Sequence, residues 1–76
     1  MDISDIAKQI SMLNIPPDAF SIGDPIQDES LCIREKNETW EVFYHERGIK
    51  TELRVFKEED DACENFLLRI KDWNFM

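Results

Sequence analysis

Few side chains in this sequence of 76 residues have the chemistry of a catalytic or metal site. The single histidine, His45, has no serine or cysteine at a spacing typical of nucleophilic catalysis. A structural zinc ion would need four ligands, and Cys32, Cys63 and His45 stand apart with no Cys-x-x-Cys pair among them. The sequence also contains no glycine-rich phosphate loop. We therefore expect neither an enzyme nor a protein that binds a metal or another cofactor.

Acidic residues dominate the remaining chemistry. The chain has 17 Asp and Glu against nine Lys and Arg, for a formal net charge of −8. Nucleic acid and anionic membranes are poor partners for such a chain, because both require a basic patch. The acids form two groups outside the predicted sheet: Glu58, Glu59, Asp60, Asp61 and Glu64, and Asp24, Asp28 and Glu29. The first group is explained either by the helix dipole and solvation or by a surface that binds a basic partner.

Hydrophobic periodicity predicts a helix at each end of the chain. Residues 2–13 carry apolar side chains at steps of three and four, with Asp2 as the cap, and residues 58–73 repeat the pattern. Residues 14–30 contain all three prolines and predict a loop. Within this loop, Phe20 and Ile22 alternate around Ser21 and allow a short edge strand near 20–22.

Three runs between the loop and the last helix predict strands at 31–35, 40–46 and 49–56, because they are rich in β-branched and aromatic residues. Alternation places Ile49, Leu53 and Val55 on one face of the third strand. The turns after the first two runs are short enough to require antiparallel neighbours. The order predicts one α+β domain, an α-β-β-β-α two-layer sandwich in which two helices cover a three-stranded antiparallel meander.

Two further residue classes give expectations that depend on this fold. Strand alternation points Phe43 or Tyr44 away from the helix-covered face, where the ring either shields the core edge or anchors an interface. An open sheet face would also support a homodimer.

Cys32 and Cys63 are expected to be buried free thiols in a cytoplasmic protein. The acidic N-terminus is unlike a secretory signal, and no apolar run is long enough to span a membrane.

Three stretches of the sequence resemble a known family. They are Ser30-Leu31-Cys32-Ile33, a Trp-x-Val-x-Tyr strand that continues into a Glu-Arg-Gly turn (40–48), and a Phe-x-x-Glu-x-x-Ala-Cys helix start (56–63). Together they resemble small bacterial immunity proteins encoded beside secreted polymorphic or contact-dependent toxins. Lys57 departs from the pattern, since a serine or similar helix cap is expected there. The resemblance implies a stoichiometric inhibitor that binds a toxin domain in the cytoplasm of the producing cell.

The leading hypothesis is therefore a non-enzymatic immunity-type protein that neutralises a basic toxin domain through its acidic surface and an aromatic anchor. The residues predicted to contact the partner are Glu58, Glu59, Asp60, Asp61, Glu64, Asp24, Asp28, Glu29, Tyr44, Glu46 and Arg47. Arg47 also has a structural interpretation, as a turn residue that pairs with Glu46 or Glu59. The alternative hypothesis is a homo-oligomeric structural or adaptor module that uses exposed sheet aromatics.

Overall fold

The computed structural model describes residues 1–23 and 26–72, which form two helices and a four-stranded sheet. The elements are α1 (Ile3–Met12), a 3-10 turn (Pro17–Ala19), β1 (Phe20–Ile22), β2 (Ser30–Lys36), β3 (Thr39–Glu46), β4 (Ile49–Phe56) and α2 (Glu59–Asp72). The predicted α+β class is confirmed, and the short strand near 20–22 is present. Neither helix in this described part of the chain is long and apolar enough to cross a membrane.

The sheet has the strand order β1-β2-β3-β4 and is mixed. The β2–β3 and β3–β4 hairpins are antiparallel, as predicted, whereas β1 runs parallel to β2. Both hairpin turns have two central residues with positive φ, as in type I′ turns: Asn37 and Glu38 in the first, and Arg47 and Gly48 in the second. These turns match the right-handed twist of the strands that they join.

Both helices pack on the same face of the sheet and form the main core with it. Asp2 and Asp5 form a capping box that satisfies free backbone N–H groups at the start of α1. In α2 the Glu58 carbonyl accepts the first intrahelical hydrogen bond, from the Ala62 N–H. Glu58, not Lys57, therefore precedes the first turn of α2. The buried apolar side chains of this core are Ile6, Ile10, Leu31, Ile33, Val42, Ala62, Cys63, Phe66, Leu67 and Ile70.

Neither described helix packs on the opposite face of the sheet, yet that face also has buried residues. Ser21, Cys32 and Phe43 lie in register across β1, β2 and β3, and Phe43 is fully buried. The Arg34 guanidinium and the Lys50 ammonium lie 5.3 and 5.0 Å from the centre of the Phe43 ring. Phe43 thus points away from the helices, as the alternation predicts, but two cations cover it.

A carboxylate holds those two cations in place. Glu41 Oε1 accepts from Arg34 Nε at 3.0 Å and from Lys50 Nζ at 3.4 Å, and the Glu41 side chain is 12% exposed. Burial alone would raise the Glu41 pKa, but the hydrogen bonds and positive charges of Arg34 and Lys50 outweigh burial and hold that pKa below its usual value. The helix-free face is therefore closed by an ionic cluster of Arg34, Glu41 and Lys50.

The segment 27–29, which leads into β2, is hydrogen-bonded on the helix-free face. Ser30 Oγ donates to the Gln27 carbonyl at 2.7 Å, so the Ser21 hydroxyl is the donor in its 3.0 Å contact with Ser30 Oγ. Ser21 Oγ in turn accepts the Gln27 backbone N–H at 2.9 Å. Two buried serines thus fix the returning chain without an unsatisfied hydroxyl.

The predicted common face of Ile49, Leu53 and Val55 on β4 is wrong. A β-bulge lies opposite β3 between Val42 and Tyr44, and Glu52 adopts a φ of 53° there. The extra residue shifts the alternation, so Ile49 pairs with Glu46 on the helix side while Val55 pairs with Glu41 on the other side. All three aliphatic side chains are exposed.

Candidate protein-binding surfaces

The N-termini of the two helices lie side by side. The Glu59 carboxylate accepts the Ile3 backbone N–H at 3.0 Å, and the Met1 ammonium lies 2.9 Å from Asp60 Oδ1. The hydrogen bond to Asp60 raises the pKa of that ammonium. Seven carboxylates from two distant parts of the sequence therefore form one acidic surface: Asp2, Asp5, Glu58, Glu59, Asp60, Asp61 and Glu64.

The pKa of the buried Cys63 thiol reflects the negative charge of this acidic surface. Burial, together with the negative charges of Glu59, Asp2 and Asp60, raises the pKa of Cys63 to about 11. Since Asp2 belongs to α1, its influence on a thiol of α2 reflects the convergence of the two helix starts. The thiol is consequently protonated and unreactive at neutral pH.

Some carboxylates of the acidic surface already bind a group of this protein, whereas others have no ion pair with a described residue. Asp2 and Asp5 cap α1, Glu59 joins α1 to α2, and Asp60 pairs with the Met1 ammonium. The side chains of Glu58, Asp61 and Glu64 are exposed, and no ion pair with another described residue holds them. These three carboxylates are available to a partner.

Carboxylate oxygens of Asp60, Asp61 and Glu64 lie within 4.8 Å of one another, all exposed. The helix dipole favours acids in the first turn, but its influence falls off beyond that turn, where Glu64 lies. Like charges at three- and four-residue spacing destabilise a helix by a few tenths of a kcal/mol. Helix stability therefore does not favour Glu64, which lies exposed to solvent beside Asp60 and Asp61.

The second acidic group lies at the other end of the sheet. Asp28 and Glu29 immediately precede β2 and, with Glu46, lie near Tyr44; partial burial and these three negative charges raise the Tyr44 pKa. The strands between the two groups have seven or eight residues, which corresponds to about 23–26 Å. The structure therefore does not bring the two acidic groups together, and Asp24 lies outside the described residues.

The remaining predicted contact residues surround this second group. Tyr44 is half-buried, and Arg47 is exposed in the β3–β4 turn with a φ of 53°. Glu59 lies at the opposite end of the sheet, where it binds the Ile3 N–H, and so does not pair with Arg47. Phe43, the other aromatic proposed as an anchor, is fully buried and unavailable to a partner without rearrangement.

Near the second acidic group lie the three residue types of a catalytic triad, Asp28, His45 and Ser30. His45 Nδ1 lies 3.4 Å from Asp28 Oδ1, and Ser30 is the cross-strand neighbour of His45. The Ser30 side chain, however, is fully buried and its hydroxyl donates to the Gln27 carbonyl. His45 Nδ1 makes no hydrogen bond to a described residue. The Ser30 hydroxyl therefore stabilises the chain before β2 and is not accessible to a substrate.

Comparisons of the chain with protein-family models, with curated proteins and with solved structures find no match. The geometry of the surfaces is therefore the basis for a functional proposal. Sequence reasoning missed that Asp2 and Asp5 join the acidic surface of α2. The signal available was weak, because an acidic N-cap and first turn are typical of any helix.

Proposed function

We propose that this chain is a non-enzymatic immunity-type protein that binds and neutralises a toxin domain with a basic surface. The observation that carries the proposal is the convergence of the two helix N-termini, which gathers seven carboxylates on one side of a small domain. A toxin that acts on nucleic acid needs a basic cleft, and a dense acidic surface can fill such a cleft in place of a phosphate backbone.

The mechanism rests on Glu58, Asp61 and Glu64, because the fold leaves these carboxylates exposed and without an ion pair to another described residue. Long-range attraction would raise the association rate, and contacts with Lys or Arg of the toxin would then replace the repulsion among the acids. Leu68 follows Glu64 by one helical turn and is 65% exposed. An apolar side chain beside a charged rim is the usual composition of a protein interface.

The test has a cellular and a kinetic part. Co-expression of this chain should protect cells from the toxin domain encoded beside its gene, and the purified proteins should form a stoichiometric complex. Reversal of the three available charges (Glu58→Lys, Asp61→Lys, Glu64→Lys) should slow association by about tenfold or more at low salt and reduce its salt dependence. Protection without a complex would refute the proposal, as would failure to protect.

The second acidic group supplies a matched control. Reversal of Asp28, Glu29 and Glu46 changes the net charge by the same amount, from −8 to −2, but at the other end of the sheet. An on-rate reduced only by the α2 variant places the toxin on the helix N-termini. An equal reduction by both variants would mean that net charge, not this surface, drives association.

The homo-oligomeric adaptor remains a weaker proposal, because Phe43 is fully buried and Tyr44 is half-buried. Light scattering of the purified protein separates the two functions. A tight dimer whose dissociation follows Tyr44→Ala would favour the adaptor, whereas a monomer would favour the toxin-binding protein.

A further inference from the structure

The β4 edge is the basic side of an otherwise acidic protein. Residues 47–57 contain Arg47, Lys50, Arg54 and Lys57 against the single acid Glu52, a formal charge of +3, whereas the rest of the chain sums to −11. β4 is the last strand in the sheet order, and no described strand pairs with its outer edge. Unpaired N–H and C=O groups on an edge strand are a template for another strand.

A groove runs beside this edge, between β4 and α2. Its volume is about 520 Å³, and its lining residues are Glu52, Leu53, Arg54, Phe56, Asn65 and Arg69. Leu53 is 46% exposed, so the groove offers apolar contact area together with two guanidinium groups. An extended segment beside β4 would place alternate side chains into this groove.

Arg69 is a mostly buried cation whose charge is only weakly balanced by a neighbouring carboxylate. Its side chain is 17% exposed and lies 3.5 Å from a carboxylate oxygen of Glu52, whose own side chain is 76% exposed. Its other terminal nitrogen donates to the Val42 carbonyl at 3.3 Å, at the position where the β4 bulge interrupts pairing with β3. Burial lowers the Arg69 pKa; the negative charge of Glu52 opposes this effect only in part, and the positive charge of Arg54 adds to it. A carboxylate in the groove would relieve both effects.

Asn65 gives a second, independent sign of an incomplete site. It lines the same groove, and its side-chain oxygen is buried without a hydrogen-bond partner among the described residues. Buried polar atoms are nearly always paired in a folded protein. Rotation of the Asn65 side chain toward the groove would let this oxygen accept a backbone N–H group of an added segment.

We propose that the β4 edge and the adjoining groove bind an extended acidic segment of another protein by strand addition, with its carboxylates on Arg54 and Arg69. A second copy of this chain is a poor occupant, because two basic edges would face each other. The charge of −11 over the remainder of the protein disfavours nucleic acid. This inference concerns a different surface from the α2 acids and does not depend on the proposed function.

The probe is a capped hexapeptide of alternating Glu and Val, titrated into the 15N-labelled protein. We expect binding with a Kd of about 1 mM or tighter, and the largest amide shifts at 53–56 and in Arg69. Arg54→Glu should weaken binding by about tenfold, because it places a like charge beside the peptide carboxylates. Lys8 is exposed on α1, and Lys8→Glu makes the same change in net charge; this control variant should leave the affinity unchanged.

Three comparison ligands distinguish strand addition from charge attraction alone and from binding of nucleic acid. A Lys-Val hexapeptide should not bind, and N-methylation of alternate amides in the Glu-Val peptide should abolish binding, because strand addition needs those N–H groups. Equal binding of the methylated peptide, or of a single-stranded oligonucleotide at the same amides, would overturn the proposal. So would the absence of any binding, or sedimentation showing that the β4 edge is already occupied in a dimer.

Discussion

The ionic cluster on the helix-free face gives a stability prediction whose magnitude follows from burial. Glu41→Gln keeps the size of the side chain but removes the charge that binds both Arg34 and Lys50. The side chains of these three residues are 12–32% exposed, so the loss falls between that of a surface pair, about 0–1 kcal/mol, and that of a buried pair, about 3–5 kcal/mol. We expect a loss of about 2 kcal/mol in the free energy of unfolding at pH 7.

This loss should appear as a large shift in a domain of this size. With an unfolding entropy of about 2.1 cal/mol/K per residue, 2 kcal/mol lowers the Tm by about 12 °C. Circular dichroism during thermal and urea unfolding measures both quantities. Glu35→Gln is the matched control, since Glu35 is exposed on neighbouring β2 and has no ion pair with a described residue; it should change the free energy by less than about 0.5 kcal/mol.

The pH dependence tests the cause of the loss. The folded state lowers the pKa of Glu41, so its ionised form stabilises the fold above the usual value of 4.5 and this contribution is lost as the pH falls through the folded-state pKa. The difference between wild type and Glu41→Gln should therefore shrink as the pH is lowered from 7 toward about 3. A difference that is independent of pH, or no larger than that of Glu35→Gln, would refute the electrostatic account of this face.

Two further predictions concern a turn and the thiols. Glu38 has a φ of 65° in the first hairpin turn, where Asn-Gly is the preferred pair, so Glu38→Gly should raise the free energy of unfolding by about 0.5–1 kcal/mol in urea titrations. Glu38→Ala, which keeps the unfavourable backbone conformation, should bring no such gain. Cys32 and Cys63 are buried and burial raises the pKa of both thiols, so an aromatic disulfide reagent at pH 8 should label them only at the rate of unfolding. Rapid labelling of the folded protein would show that one thiol is accessible.

Most of the secondary structure could be predicted because it depends on local patterns. The apolar steps of the helices and the β-branched runs placed α1, α2 and three strands within one or two residues of their observed bounds. The short strand at 20–22 was also predicted, but its parallel pairing with β2 was not, since that depends on a crossover held by Ser21 and Ser30. The phase of β4 was wrong because one bulge residue reverses the alternation after it.

The candidate surfaces were predictable only in part. The acids at the start of α2 are adjacent in sequence, so their grouping was certain once a helix was predicted. The addition of Asp2 and Asp5 depends on the contacts of Met1 and Ile3 with α2, more than 50 positions away. The burial of Phe43 likewise depends on Arg34 and Lys50 from two neighbouring strands.

Residue types and short-range spacing are sufficient to predict the helices, the strands and the net negative charge of this chain. The three-dimensional fold sets where the charges lie relative to one another. It joined two helix starts into one acidic surface, separated that surface from the loop acids by the length of the sheet, and left a basic strand at the sheet edge. Electrostatic recognition depends on distances in space, and only chain packing sets those distances.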